Sequence, residues 1–321
     1  MPARIFGARF YGYRRPAWHS VGQVSTDSIG AIEAFERLGP YDVELEASEA
    51  GAFEITRLPT KDDPRRRGFG KVGDEYELIS PNELTAAWDA SVSRPVETMG
   101  ALDRGECLFL TLRLDAFDVV GDAVENYLVV AHWMTPNKTS AAFISPVRVV
   151  CSNTLRVAER LSRLRVDLLP RAGLRERLGS SLQQALHQAP VGSVLLRRQL
   201  EFMARRGVTP AEARSVVAAA YPDDDGSLRD AALELFNGAG SGMDHLAARG
   251  TAWGLYNAIA EVENFREGGS DADVATEILF GARKSAMQAG FKAAMALCRT
   301  DGPRELARCV GERSGILATA G

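Results

Sequence analysis

A chain of 321 residues with 45% hydrophobic residues suits one large or two ordinary domains and can bury a core, which excludes disorder as its general state. No apolar run reaches membrane-spanning length, and the N-terminal residues are arginine-rich without the apolar segment of a secretory signal, so no membrane association and a cytoplasmic location are expected. The formal charge of -4 conceals local clusters of either sign, while the scatter of Cys107, Cys151, Cys298, Cys309 and of the four histidines argues against a disulfide framework, a zinc site or any cofactor.

Residues 1–24 read as a basic and aromatic arm. Arg4, Arg9, Arg14 and Arg15 alternate with Phe6, Phe10, Tyr11, Tyr13 and Trp18 without an acidic residue. Cations with rings between them can follow a single nucleic-acid strand, the charges on phosphates and the rings under bases. The same aromatics can equally pack on the body of the protein or on a neighbouring subunit.

The spacing of Ile29, Ile32 and Phe35 predicts an amphipathic helix over 28–38, ended by Gly39-Pro40. Short strands are expected over 41–45 and 52–58, a turn at Asp62-Asp63-Pro64, and a third strand over 75–79. Ser80-Pro81-Asn82-Glu83 is a capping box with proline at the first helical position and predicts a helix over 81–91. From 96 to 150 the chain reads as antiparallel strands: Leu108, Leu110, Leu112 and Leu114 fall on one face of an extended segment, and 126–134 and 141–150 are apolar enough to be central.

The chain changes character over 145–160. Up to Cys151 the apolar residues alternate or form β-branched blocks, and beyond Asn153 they recur every three or four positions. Ser152 and Asn153 are suitable N-caps. Helices are then expected over 154–166, 175–188, 193–206, 210–220, 228–237, 251–266, 272–279 and 283–299, the fourth announced by the capping box Thr209-Pro210-Ala211-Glu212. The fold class that follows is α+β, an antiparallel sheet with packed helices in the N-terminal half and an all-helical C-terminal half, divided as 1–24, 25–152 and 153–321.

Four constellations carry possible chemistry. Gly68-Phe69-Gly70-Lys71-Val72-Gly73 has the spacing of a dinucleotide-binding loop, but it follows Arg65, Arg66 and Arg67 and precedes a strand, where a pyrophosphate loop needs a strand before it and a helix after it. A β-hairpin with a basic tip around Phe69 fits better; it is either a phosphate contact or a solvated loop. Cys151, beside a helix start, has the position of a reactive thiol, and His132 lies one strand earlier, yet no orienting Asn or Asp can be placed, so catalysis is not expected. Twelve arginines between Arg156 and Arg214, Arg156 and Arg160 among them, form either a positive stripe or a solvated helix surface. Trp253, Asn257, Glu261 and Asn264 share a helical stripe that suits either a small polar site or a helix packed through its tryptophan.

Pro16-Ala17-Trp18-His19-Ser20-Val21-Gly22, the segment 70–76, Pro146-Val147-Arg148-Val149-Val150-Cys151-Ser152-Asn153-Thr154-Leu155 and Gly250-Thr251-Ala252-Trp253-Gly254-Leu255-Tyr256-Asn257-Ala258 together resemble the phage/plasmid-like family, domain of unknown function 932. The likeness covers most of the chain in order. It departs where the family commonly has a His-Asp-Gly turn and this chain has Trp133-Met134-Thr135-Pro136-Asn137. The family has no established activity. The resemblance implies an accessory protein of a phage or plasmid, and by fold-level analogy with phage annealing proteins a homo-oligomer that binds single-stranded DNA without ATP or metal. On that reading Arg65, Arg66, Arg67, Lys71, Arg148, Arg156 and Arg160 hold phosphates, and Phe69 with Tyr11 or Tyr13 stacks bases. The alternative is a structural or protein-interaction factor, for assembly or anti-defence, that binds no nucleic acid.

Overall fold

Alternation of leucines along 108–114 does what a half-buried strand requires: Leu108, Leu110 and Leu112 enter one core, while Phe109 lies in a second core across the sheet. They belong to the centre of a seven-stranded sheet. The computed structural model describes residues 10–13, 23–48, 51–148, 165–268, 277–278 and 281–299. Its strands are β1 (Phe10–Tyr13), β2 (Gln23–Ser25), β6 (Thr98–Leu102), β7 (Cys107–Val119), β8 (Asp122–Trp133), β9 (Ser140–Arg148) and β10 (Val166–Leu168), in the order β10-β9-β8-β7-β6-β1-β2. All neighbours are antiparallel except β1 and β2. Two stretches of the expected N-terminal arm are thus strands at the sheet's edge, and Tyr13 packs against the core.

Helices α1 (Ala31–Leu38) and α2 (Pro81–Ser91) cover one face of this sheet, with Phe35, Leu84 and Trp88 buried against the leucines of β7. The capping box of α2 forms as its residues dictate: Ser80 Oγ accepts the Glu83 N–H at 3.3 Å and Glu83 accepts the Ser80 N–H at 2.8 Å. Between α1 and α2 lies a small antiparallel sheet of β3 (Val43–Ala47), β4 (Ala52–Arg57) and β5 (Arg67–Gly73). The third strand is therefore 67–73 and not 75–79, where Tyr76 makes only an isolated bridge to Arg171. Its glycines hid it. Gly70 has φ 130°, and a Cβ there would meet the Pro136 ring at 2.9 Å.

The second half holds α3 (Leu174–Arg205), α4 (Pro210–Ala220), α5 (Ser227–Glu234), α6 (Ala252–Phe265) and α7 (Ala282–Ala296). The helices predicted over 175–188 and 193–206 are one helix of 32 residues that runs through Pro190. Proline removes one N–H, but Ala185, Ala189, Leu196 and Leu200 stay buried on one face to either side of it, so packing overrides the break. That helix bridges two cores, its first half against the sheet and its second against α4, α6 and α7. Helix α6 is buried nearly all round. A Cβ on its Gly254 would lie 1.8 Å from the Ala248 carbonyl oxygen, so only glycine allows this approach. Helices dominate this part of an α+β protein, with β10 the exception, where a helix over 154–166 was expected. Residues 149–164 lie outside the described residues, as do 269–276, and with them the expected change of structure at Cys151, Ser152 and Asn153, the arginines Arg156 and Arg160, and most of the helix over 272–279. No helix among the described residues is long and apolar enough to cross a membrane.

Candidate functional site

A hairpin forms between β4 and β5, but its connection is 58–66 and Phe69 and Lys71 lie within β5, so the tip is not around Phe69; its arginines are engaged by nearby carboxylates. Arg57 on β4 is fully buried and its Nη2 donates to Asp63 Oδ2 at 2.8 Å and to the Arg65 carbonyl at 3.0 Å. Asp63 also accepts from Arg65 Nε at 3.3 Å and from Arg67 Nε. Burial pushes the Asp63 carboxyl up, but the hydrogen bonds from Arg67 and Arg65 and the charge of Arg57 outweigh it and hold the group well below its ordinary value. Arg66 reaches across to Glu44, at 2.6 Å, and Glu46 on β3. Lys71 is exposed and stands opposite Glu54 in the β4–β5 register. Phe69 is half-buried against the main core. The glycine motif is extended strand, with no helix after it to receive a pyrophosphate.

The arginines of the second half are similarly divided. Arg175 pairs with Glu83 and Glu77, Arg197 with Glu201 and Arg206 with Glu212, so the expected positive stripe is interrupted at each of these positions. Arg148 ends β9 opposite Val124, and Tyr11 pairs with Met99 in β6. The tryptophan stripe on α6 is structural. Trp253 Nε1 donates to the buried Asp122 Oδ2 at 2.8 Å, tying α6 to the β7–β8 turn, and the Asn257 and Asn264 amides donate to carbonyls one turn back. His132 has both ring nitrogens occupied, Nε2 by the Ile79 carbonyl at 2.8 Å and Nδ1 by Ser140 Oγ at 3.0 Å. Burial holds it below its ordinary pKa.

A different grouping appears on the other face of the main sheet. Ala131 on β8 stands directly opposite Ala141 on β9. Two facing alanines, flanked by Trp133 and Phe143 two residues along their strands, leave a hollow between large rings. The hollow is an open cavity of about 270 Å³, and Lys138, Thr139, Arg165 and Lys284 complete its described lining. Three cations from three distant parts of the chain thus face one space, with no carboxylate in that lining. The Lys138 ammonium sits 3.8 Å from the centre of the Trp133 ring and 3.8 Å from Glu106. Arg165 pairs with Asp167, which is itself half exposed. A volume slightly under the roughly 300–1,000 Å³ usual for small-molecule pockets suits one nucleotide unit better than a large cofactor.

The hairpin approaches the turn that carries Lys138. Gly70 of β5 packs under Pro136, two residues before Lys138 at the cavity mouth, in the turn where the chain departs from the resembled pattern. Sequence reading missed Trp133, Lys138, Arg165 and Lys284 as a group. Lys138 stands alone in its turn and Lys284 follows Arg283 far along the chain, and only the β8–β9 register and the placing of α7 bring them together.

Compared with known families, the chain matches one model, described as a domain of unknown function (DUF932), over residues 69–290. No curated protein and no solved structure matches it.

Proposed function

Because the chain belongs to the DUF932 family, whose description carries no activity, we propose from its own geometry that it binds single-stranded nucleic acid without catalysing a reaction. The observation that carries this reading is the cavity in which Lys138, Arg165 and Lys284 surround a hollow walled by Trp133 and Phe143. A phosphate meets three cations there, and a sugar or base edge meets apolar walls, a pairing that suits an unpaired strand more than a duplex. The strand continues along the edge strand β5 past Lys71, with the half-exposed Arg66 in reach of a further phosphate. In this reading the protein is a cytoplasmic accessory factor of a phage or plasmid, acts as a homo-oligomer and serves strand annealing. The alternative, a structural or protein-interaction factor without affinity for nucleic acid, draws on a separate feature, the exposed apolar stripe on α3.

Fluorescence anisotropy with labelled single- and double-stranded oligonucleotides over a salt series tests it. Single-strand preference with a steep salt dependence is expected, and Ala141→Phe, which fills the hollow, abolishes that preference at a folding cost of about 1–3 kcal/mol. Absence of binding at low salt, or undiminished binding by Ala141→Phe, sinks the proposal.

A further inference from the structure

The second half of α3 is apolar on two sides. Leu196, Leu200 and Met203 point into the helical core, as the inner stripe of a packed helix should. On the outer side Val191, Val194, Leu195 and Phe202 are 60%, 52%, 42% and 63% exposed. Positions 191, 195, 198 and 202 recur at four, three and four residues, so these side chains form one continuous ridge about 16 Å long, beginning one residue after Pro190. Scattered exposed apolar residues need no explanation, but a contiguous ridge with an exposed phenylalanine marks an interaction surface.

Charge indicates what covers it. The polar member of the ridge is Arg198, exposed and without an ion pair among the described residues, whereas Arg197 and Arg205 share Glu201 at 2.8 and 4.0 Å. The ridge is therefore apolar with a positive edge. A second copy of this helix laid antiparallel on it would bring Arg198 close to its own symmetry mate near the middle of the ridge, a like-charge contact that opposes pairing. We propose that this face receives an amphipathic helix of another protein, with apolar side chains at three- and four-residue spacing and carboxylates on the flank that meets Arg198.

Two labelled helical peptides of equal length, sharing one leucine stripe but flanked by Glu in one and Lys in the other, test this against the full chain. The Glu peptide should bind about tenfold or more tighter than the Lys peptide, Phe202→Ala should weaken it about tenfold, and Arg198→Glu should reverse the preference. Both residues are exposed, so circular dichroism should show the fold intact in either variant. Failure of both peptides, equal binding of the two, or unchanged binding by Phe202→Ala overturns the proposal. So does a sedimentation result in which the chain self-associates and Phe202→Glu dissociates it, which assigns the ridge to a second copy. Oligonucleotide binding by the same variants reads the cavity separately, so the two proposals fail independently.

Discussion

The arginine-rich hairpin and the cavity across the sheet are both basic, and they differ in what their charges face. At the hairpin, Arg57, Arg65, Arg66 and Arg67 face Asp63, Glu44 and Glu46 within one small sheet, so their charge is largely spent on holding that sheet together. At the cavity, Lys138, Arg165 and Lys284 arrive from a turn, a strand edge and a helix; Glu106 lies beside Lys138 and Asp167 beside Arg165, yet all three cations also line one open space. Density of charge in sequence therefore marks structure in the first region, while convergence of charges from distant segments marks the candidate site in the second.

The largest effect that separates the two is on stability. Asp63→Ala removes a carboxylate that the fully buried Arg57 hydrogen-bonds, and removing one partner of a buried pair costs about 3–5 kcal/mol. Urea denaturation measures the loss, and the folded fraction should keep its affinity for oligonucleotides. A loss well under 1 kcal/mol would show that the hairpin arginines are interchangeable surface charges.

Acid should act on the structural side as well. His132 is held below its ordinary pKa, so as pH falls below about 6.5 the unfolded chain takes up a proton that the folded chain refuses, and stability declines by about 1.4 kcal/mol per pH unit until the folded value is reached. Asp63 is held below its ordinary value, so its contribution is intact above about pH 4 and is lost only in stronger acid. Between pH 7 and 5 His132 lowers stability on acidification, while burial raises the Glu263 carboxyl and gives a contribution of opposite sign, so His132→Asn should remove the acid-destabilising part of the slope whatever that variant's absolute stability. His132 does not line the cavity, so oligonucleotide affinity of the folded protein should not follow the same curve. An equal slope in His132→Asn would remove His132 as the cause.

How much of this was legible in the sequence follows from where each signal resides. Capping boxes at Ser80 and Thr209 are local chemistry and place the starts of α2 and α4 to the residue. The leucines of β7 announce a half-buried strand by period alone. What failed was non-local. Strand β5 was obscured because Gly68, Gly70 and Gly73 break alternation, and the packing of Gly70 beneath Pro136 is visible only in three dimensions. Helix α3 read as two helices, over 175–188 and 193–206, because the buried face that carries it past Pro190 comes from two different cores. The cavity needed the Ala131–Ala141 register, which nothing in either strand's sequence specifies. The hairpin arginines were visible at once, and their carboxylate partners on β3 lie some twenty residues earlier, beyond the reach of a local charge count.

The smallest effect on the fold is the most informative about the site. Lys284 lies on α7, half-buried at the cavity rim and distant in sequence from every other lining residue. Lys284→Ala removes a partly exposed surface charge, so its cost in stability should stay within about 0.5 kcal/mol. If that ammonium holds a phosphate, the slope of log affinity against log salt for a single-stranded oligonucleotide should fall by about one. Arg66→Ala, applied to the most exposed doubly paired arginine of the hairpin, should lower the slope by less, because Glu44 and Glu46 already neutralise it. Equal decrements would erase the difference between the regions, and a larger one for Arg66 would return the binding surface to the hairpin. Since both variants leave the core untouched, the ratio of the two slopes measures how much of each cation's charge the fold has left available to a ligand.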